Sequence, residues 1–206
     1  MDRPLTDATY VEDFLATAIS LLRDIDRTTI LALVSELVEL RERRGRLFLV
    51  GSGGGASHAS HAACDFRKLA AIEAYSPSDN VSELTARIND EGWETSYVGW
   101  LKTSRMTKDD LLFVISVGGG DSRRNISPNI VACIDHARAI GSRVVGVVGR
   151  DGGYTRRHAD VCVLIPQPTS QGETPHTEGL QAVIWHLLVS HPALQCMPAK
   201  WEAVGA

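Results

Sequence analysis

Apolar residues recur at helical spacing through residues 7–43, first at Val11, Phe14, Leu15, Ala18, Leu21 and Leu22, then at Ile30, Leu31, Leu33, Val34, Leu37 and Val38. The pattern breaks near Asp26-Arg27, which predicts two consecutive helices before any strand. RLFLVG follows as a short apolar run ending in glycine, the mark of a strand, and from about Ser57 to Leu69 small residues resume a helical pattern. The result is a strand, loop, helix unit.

That grammar repeats. LLFVISVGGGDS leads into PNIVACIDHARAIG, RVVGVVGRDGG leads into a short polar segment, and VCVLIP makes another strand before a last helix over residues 175–190. Between the first two units, residues 70–105 read as a short strand, a loop and one or two helices. Such alternation predicts an α/β fold with a parallel sheet covered by helices on both faces. No low-complexity linker divides the chain, so a single domain is expected over 1–206, with N-terminal helices in 1–44 and the α/β core in 45–192. In open parallel sheets ligands bind beyond the carboxyl ends of the strands, where GSGGGAS, SVGGGDS and GRDGG converge.

Composition refines this picture only at the margins. With 206 residues, 44% hydrophobic and 22% charged, the chain is an ordinary globular domain. A formal net charge of -4 gives no basic footprint for nucleic acid, so any phosphate recognition is local. No stretch approaches the roughly 18 apolar residues that span a bilayer, and the opening MDRPLTDATYVEDF is acidic rather than signal-like. A cytoplasmic protein without membrane partner is expected. Cys64, Cys133, Cys162 and Cys196 are scattered with no CxxC pair, which predicts reduced, mostly buried thiols.

The loop LVGSGGGAS admits three readings. A phosphate-binding P-loop needs a lysine directly after its glycines, and none occurs before Lys68, so that motif fails. Gly51, Gly53 and Ala56 do satisfy the dinucleotide fingerprint, with Glu73 at the spacing of a ribose-binding acid. Against it stand two preceding helices and a following helix that carries His58, His61 and Asp65. A tight turn alone needs fewer glycines and serines. Backbone N–H groups at a helix N-terminus, joined by the Ser52 and Ser57 hydroxyls, make phosphate or sugar binding the preferred reading.

His58, His61 and Asp65 fall at i, i+3 and i+7, on one helical face. Imidazole and carboxylate so placed can share a divalent metal or a proton, although a solvated face with a capping histidine has the same spacing. The last helix carries Glu178 in its first turn and His186 two turns on, between Trp185 and Leu187. That histidine is either buried in the core or placed for chemistry facing His61 and Asp65.

Taken together these segments resemble the phosphoheptose isomerases of the sugar-isomerase (SIS) fold, over most of the chain. The family's G-N-G-G-S loop is similar to Gly51-Ser52-Gly53-Gly54-Gly55, its H-x-x-x-E to His61 and Asp65, and its N-D-x-G to Asn89-Asp90-Glu91-Gly92. Its T-G-K-D-G-G is similar to Val148–Gly153, and its Q-x7-H helix to Glu178 and His186. The resemblance implies a three-layer sandwich with a five-stranded parallel sheet. It also implies isomerisation of sedoheptulose 7-phosphate in a homotetramer with shared sites. Asp65 would be the base, His186 the acid, and zinc would be held by His61, Asp65, Glu178 and His186. The implied sugar-phosphate contacts are Ser52, Gly53, Gly54 and Gly55, Asn89 and Asp90, and Ser116, Gly118, Gly119, Gly120, Ser122 and Arg123.

The chain also departs from that pattern. Family serines in both phosphate loops are replaced, at Gly55 and within Ser116–Ser122, so Ser52, Ser57, Ser116 and Ser122, the amides of the triple glycine and Arg123 or Arg124 are the expected compensation. Asp65 is one methylene shorter than glutamate, and Glu178 puts a charge where the family has an amide, both compatible with a divalent metal. Pro175 stands where the family has an aspartate. A related heptulose, octulose or specialised sugar phosphate remains open as substrate. The alternatives to a metal-assisted isomerase are a non-catalytic SIS regulator that binds a sugar phosphate and an NAD-dependent oxidoreductase.

Overall fold

The computed structural model describes residues 7–168 and 172–204, so residues 1–6, 169–171 and 205–206 of the expected domain lie outside the description. The two opening helices are α1 (Asp7–Asp24) and α2 (Arg27–Glu42). They part where Asp26 accepts a hydrogen bond from the Thr28 amide at 2.8 Å and so caps α2. The core follows as β1 (Leu47–Gly51), α3 (Gly54–Ala70), β2 (Ala74–Tyr75), α4 (Val81–Glu91), α5 (Trp93–Thr103) and β3 (Leu111–Ser116). It continues through α6 (Pro128–Ala139), β4 (Arg143–Val148), α7 (Gly153–His158), β5 (Val161–Leu164) and α8 (Glu173–Ser190), with a short α9 (Lys200–Ala203) beyond. The polar segment after β4 is the helix α7, whose Thr155 is buried, and α9 has no counterpart in the periodicity.

Five parallel strands pair in the order β2-β1-β3-β4-β5. Their side chains alternate between two buried layers. Leu47, Leu49, Leu111, Phe113, Val145 and Val147 face α2, α3 and α8, where they meet Leu33, Leu37, Phe66 and Trp185. Phe48, Val50, Leu112, Val114 and Val144 face α5 and α6, against Tyr97, Leu101, Ile130 and Ile134. Both faces being covered, the strands read as unbroken apolar runs rather than as alternating ones. Truncating one such aromatic, Phe66 or Phe113, would cost about 3–5 kcal/mol.

Polar ties fix the frame. Asp110, at the head of β3, accepts from the Arg46 amide at 2.9 Å and from its guanidinium at 2.8 and 3.1 Å, joining the starts of β1 and β3. Arg143 of β4 pairs with the buried Glu36 of α2. The thiols divide differently from expectation: Cys133 is buried and Cys162 partly so, but Cys64 and Cys196 are exposed because they ride on the outer sides of α3 and the segment after α8. Among the described residues no helix is long and apolar enough to cross a membrane.

The chain leaves β1 towards β2 on one side and returns to β3 on the other. Their carboxyl ends therefore diverge into a crevice at the topological switch point, between the loops 52–53 and 117–127.

Candidate active site

The glycine loop after β1 runs straight into α3, whose first turn begins at Gly54 rather than at Ser57. Gly55 N donates to Ser52 O at 3.1 Å and Ala56 N to Gly53 O at 3.0 Å, so these amides of the first turn serve the loop's own backbone. A carboxylate lies over that turn. A β-carbon on Gly54 would stand 2.5 Å from the carboxyl carbon and both oxygens of Glu178, which reaches across from α8. The helix dipole favours a negative charge at this end. The Gly54 side of this first turn is therefore covered by a carboxylate of the protein itself. His58, one turn along α3, is half-buried; burial pushes its imidazole pKa down, against the opposing pull of the Glu178 carboxylate.

Further along α3, His61 and Asp65 meet His186 of α8. One nitrogen from each imidazole and one Asp65 oxygen lie within 4.8 Å of one another. His61 Nε2 is 3.7 Å from Asp65 Oδ2, and the two imidazoles stand perpendicular with centroids 5.6 Å apart. His186 Nδ1 is 2.8 Å from the Ala182 carbonyl, which can only accept; the ring hydrogen therefore sits on Nδ1 and Nε2 presents its lone pair outward. Trp185, 1% exposed, floors the cluster, stacked against His186 at 3.4 Å and edge-on to His61 at 4.7 Å. His186 is exposed rather than a core residue, because α8 turns Trp185 inward and its neighbour outward. Two imidazoles and a carboxylate at this spacing suit a divalent metal or a shared proton. Glu178 does not join them: it precedes His186 by about 12 Å of helix rise and its carboxylate is seated on Gly54.

The second polar feature is a cleft of ≈ 290 Å³ formed by the loops after β1, β3 and β4. Ser52, Ser116 and Ser127 bring hydroxyls, Arg124 and Arg150 bring guanidinium groups, and Gly118 and Gly120 bring bare backbone. Tyr97, buried and with its phenol pushed up to about 12 by desolvation, donates to the Gly51 carbonyl at 2.9 Å and anchors the base of the first loop. The triple glycine has a packing reason. A β-carbon on Gly119, whose φ is +70°, would overlap the Gly152 carbonyl, and one on Gly153 would overlap the carbonyls of Gly118 and Gly120. Tyr154 N and Thr155 N donate to Gly120 O and Gly119 O at 2.8 and 2.9 Å, sewing the loops together. Gly119 N donates to Ser116 Oγ at 3.1 Å, so this amide is not free for an anion.

Ser122 and Arg123 fall outside this cleft. Asp121 and Ile126 exchange backbone hydrogen bonds of 2.9 and 3.0 Å as an isolated antiparallel bridge, and between them Ser122, Arg123 and Asn125 are exposed. Ser122 and Arg123 line a neighbouring depression with Tyr154, Arg157 and His158. The chain re-enters at Ser127, which lines the cleft and precedes α6. Ser127 was legible as a residue just before a helix with proline at its first position. Asp121 holds Arg124 at the rim, accepting from its Nε at 2.7 Å; hydrogen bonds from Arg124 and Arg123 hold the carboxyl down at about 2. Arg150 reaches Glu173 of α8 at 3.4 Å. Asn89 and Asp90, near the end of α4, are exposed, hydrogen-bond to each other at 2.7 Å and do not line the cleft.

No family model matches the chain. It is 30% identical over 176 residues to a phosphoheptose isomerase of Chlorobaculum parvum, covering 80% of this chain and 77% of that protein. It is 32% identical over 197 residues to the lincomycin biosynthesis protein LmbN of Streptomyces lincolnensis, covering 90% and 70% respectively. Among solved structures, the phosphoheptose isomerase GmhA from Neisseria gonorrhoeae superposes with a TM-score of 0.77 at 22% identity, over 89% of this chain and 98% of that one. The superposition establishes the SIS architecture, and the shared sequence over most of both chains places this protein in the phosphoheptose isomerase family.

Proposed function

We infer that the protein is an aldose–ketose isomerase of sugar phosphates, interconverting sedoheptulose 7-phosphate and D-glycero-D-manno-heptose 7-phosphate. The observation that carries this reading is the meeting of Asp65, His61 and His186 from two helices that are distant in sequence. In the ketose direction Asp65 takes the proton from C1 and the electron pair forms the C1–C2 double bond, while His186, protonated on Nε2, gives its proton to the C2 oxygen. Asp65 then returns its proton to C2 as His186 takes the one on the C1 oxygen, leaving the aldehyde. The Nδ1 contact with Ala182 keeps Nε2 as the working nitrogen throughout.

His61, Asp65 and His186 form a mixed nitrogen and oxygen donor set that fits zinc. Bound there, the ion would occupy His186 Nε2 in place of the transferred proton, and as a Lewis acid it would supply the polarisation of the substrate oxygens. The phosphate is assigned to the cleft of Ser52, Ser116 and Ser127, where Arg124 and Arg150, paired with Asp121 and Glu173, offer guanidinium donors in place of the replaced family hydroxyls.

A homotetramer with shared sites is part of the same reading. His61 and His186 are exposed on one chain, α8 presents Val183 and Leu187 beside His186, and α1 turns Val11, Leu15, Ile19 and Leu22 outward. A neighbouring subunit on these faces would dry the site. The cytoplasm, where phosphorylated sugars are made, is the assigned compartment. A regulator that only binds sugar needs no such proton-transfer cluster, and Glu178 over Gly54 fills the place of a nicotinamide dinucleotide's pyrophosphate.

Incubation with ketose phosphates of five to eight carbons in deuterated water, followed by proton NMR, tests the assignment. Exchange at C1 with sedoheptulose 7-phosphate is expected. Saturable binding of the sugar phosphates without exchange for any of them would overturn it.

A further inference from the structure

Asn129 is fully buried, 0% exposed, at the second position of α6. Its Nδ2 donates to Ser52 Oγ at 3.2 Å, across the crevice between the loops after β1 and β3, while among the described residues its Oδ1 has no partner. A buried amide oxygen without a protein partner costs about 1–3 kcal/mol, so a purely structural tie here would be better made by an apolar side chain. The amide does something an apolar residue cannot. By donating to Ser52 Oγ it occupies a lone pair of that oxygen and leaves the hydroxyl proton free, and among the described residues Ser52 Oγ has no other side-chain partner.

We propose that Asn129 is a positioning residue for substrate: it sets the polarity of Ser52 so that this hydroxyl donates into the phosphate cleft. The inference rests on the assignment of that cleft to the phosphate. With the amide reversed, Oδ1 would take the serine proton and Ser52 would turn lone pairs towards an anion. Asn129 therefore selects for a negatively charged group beside Ser52 without touching it. Its place directly after Ser127 and Pro128 couples the two walls, since the residue that orients Ser52 sits on the same helical turn as the hydroxyl of Ser127.

The test is titration of the whole protein with inorganic phosphate by calorimetry or phosphorus NMR, alongside KM and kcat for the sugar phosphate. Asn129→Ala is expected to weaken phosphate binding and raise KM about tenfold, the worth of one hydrogen bond to a charged group, with kcat and the melting temperature little changed. In a Ser52→Ala background the same substitution is expected to change phosphate affinity by less than about twofold, because the effect runs through that hydroxyl. Asn129→Asp, equal in shape, must accept the serine proton, and an affinity loss larger than that of Asn129→Ala is expected. It serves as the readout if the alanine variant does not fold. Equal losses for Asn129→Ala in both backgrounds, or an unchanged phosphate affinity, would overturn the proposal. Should Ser127→Ala and Arg124→Ala also leave phosphate binding untouched, the cleft assignment falls and this inference with it; loss in those two alone sinks only the role of Asn129.

Discussion

The carboxylate of Glu178 rests on Gly54, occupying the space that a β-carbon at that position would fill. One consequence is that the two residues cannot both keep their places once a methyl group is added. Glu178 has a flexible side chain, so the carboxylate moves and the fold stays. Gly54→Ala is expected to shift the melting temperature little, since the gain of about 1 kcal/mol in helix propensity offsets the lost seat. Removing the nearby negative charge should lower the pKa of His58 further, as should Glu178→Gln. Titration of the imidazole signals by NMR checks this; an unmoved His58 in both variants would disprove the contact.

The proposed proton transfers fall to Asp65 and His186, and neither is a core residue. Asp65→Asn and His186→Gln should each reduce C1 exchange by about 10²–10⁴-fold. Melting curves should superimpose on that of the parent protein. Near-normal exchange in both variants would end the assignment.

Trp185 lies under His61 and His186, so an ion held by them alters the indole's surroundings. Adding zinc to metal-free protein is expected to change tryptophan emission saturably. That change should vanish in Trp185→Phe and in His61→Ala, and elemental analysis of untagged protein should find the metal in the parent and not in His61→Ala.

Neighbouring glycines of one loop should answer differently to the same substitution. Gly119→Ala meets the Gly152 carbonyl at a φ of +70° and is expected to cost about 3 kcal/mol or more in urea unfolding. Gly118→Ala meets only the flexible Arg150 side chain, at 3.3 Å, and should stay within about 0.5 kcal/mol while weakening phosphate binding.

Asp110 governs one acid-sensitive part of the stability. Burial alone would raise its pKa, but hydrogen bonds from Arg46 and Thr107 outweigh burial and hold the carboxyl below its ordinary value. A folded-state pKa below the unfolded one gives stabilisation that is complete above pH of about 4 and is lost as pH falls through the folded value. Asp110→Asn should cost about 3 kcal/mol at pH 7 and flatten the loss of stability below pH of about 4, as measured by urea unfolding across that range.

The strands and the three glycine loops were legible because a doubly covered sheet needs apolar runs, and strand ends need glycine where backbones approach. His61, Asp65 and His186 could be grouped from helical spacing and the family resemblance. Other features depend on contacts that have no spacing. The bridge between Asp121 and Ile126 pairs two residues with no alternation around them, so Ser122 looked like the hydroxyl that Ser127 provides. Glu178 enters the expected ligand set only through the family resemblance, and no spacing shows that its carboxylate stands over the bare backbone at Gly54. Asn129 gave no signal at all, since a single asparagine early in a helix reads as a surface residue until both walls of the crevice are in view.

The loop between Asp121 and Ile126 departs and returns through one pair of backbone hydrogen bonds, with the sheet and α6 already complete on either side. Its length and content are thus decoupled from the architecture beneath. Ser122, Arg123 and Asn125 can therefore be exchanged without disturbing the sheet, whereas Arg124, tied back to Asp121, keeps its guanidinium over the socket.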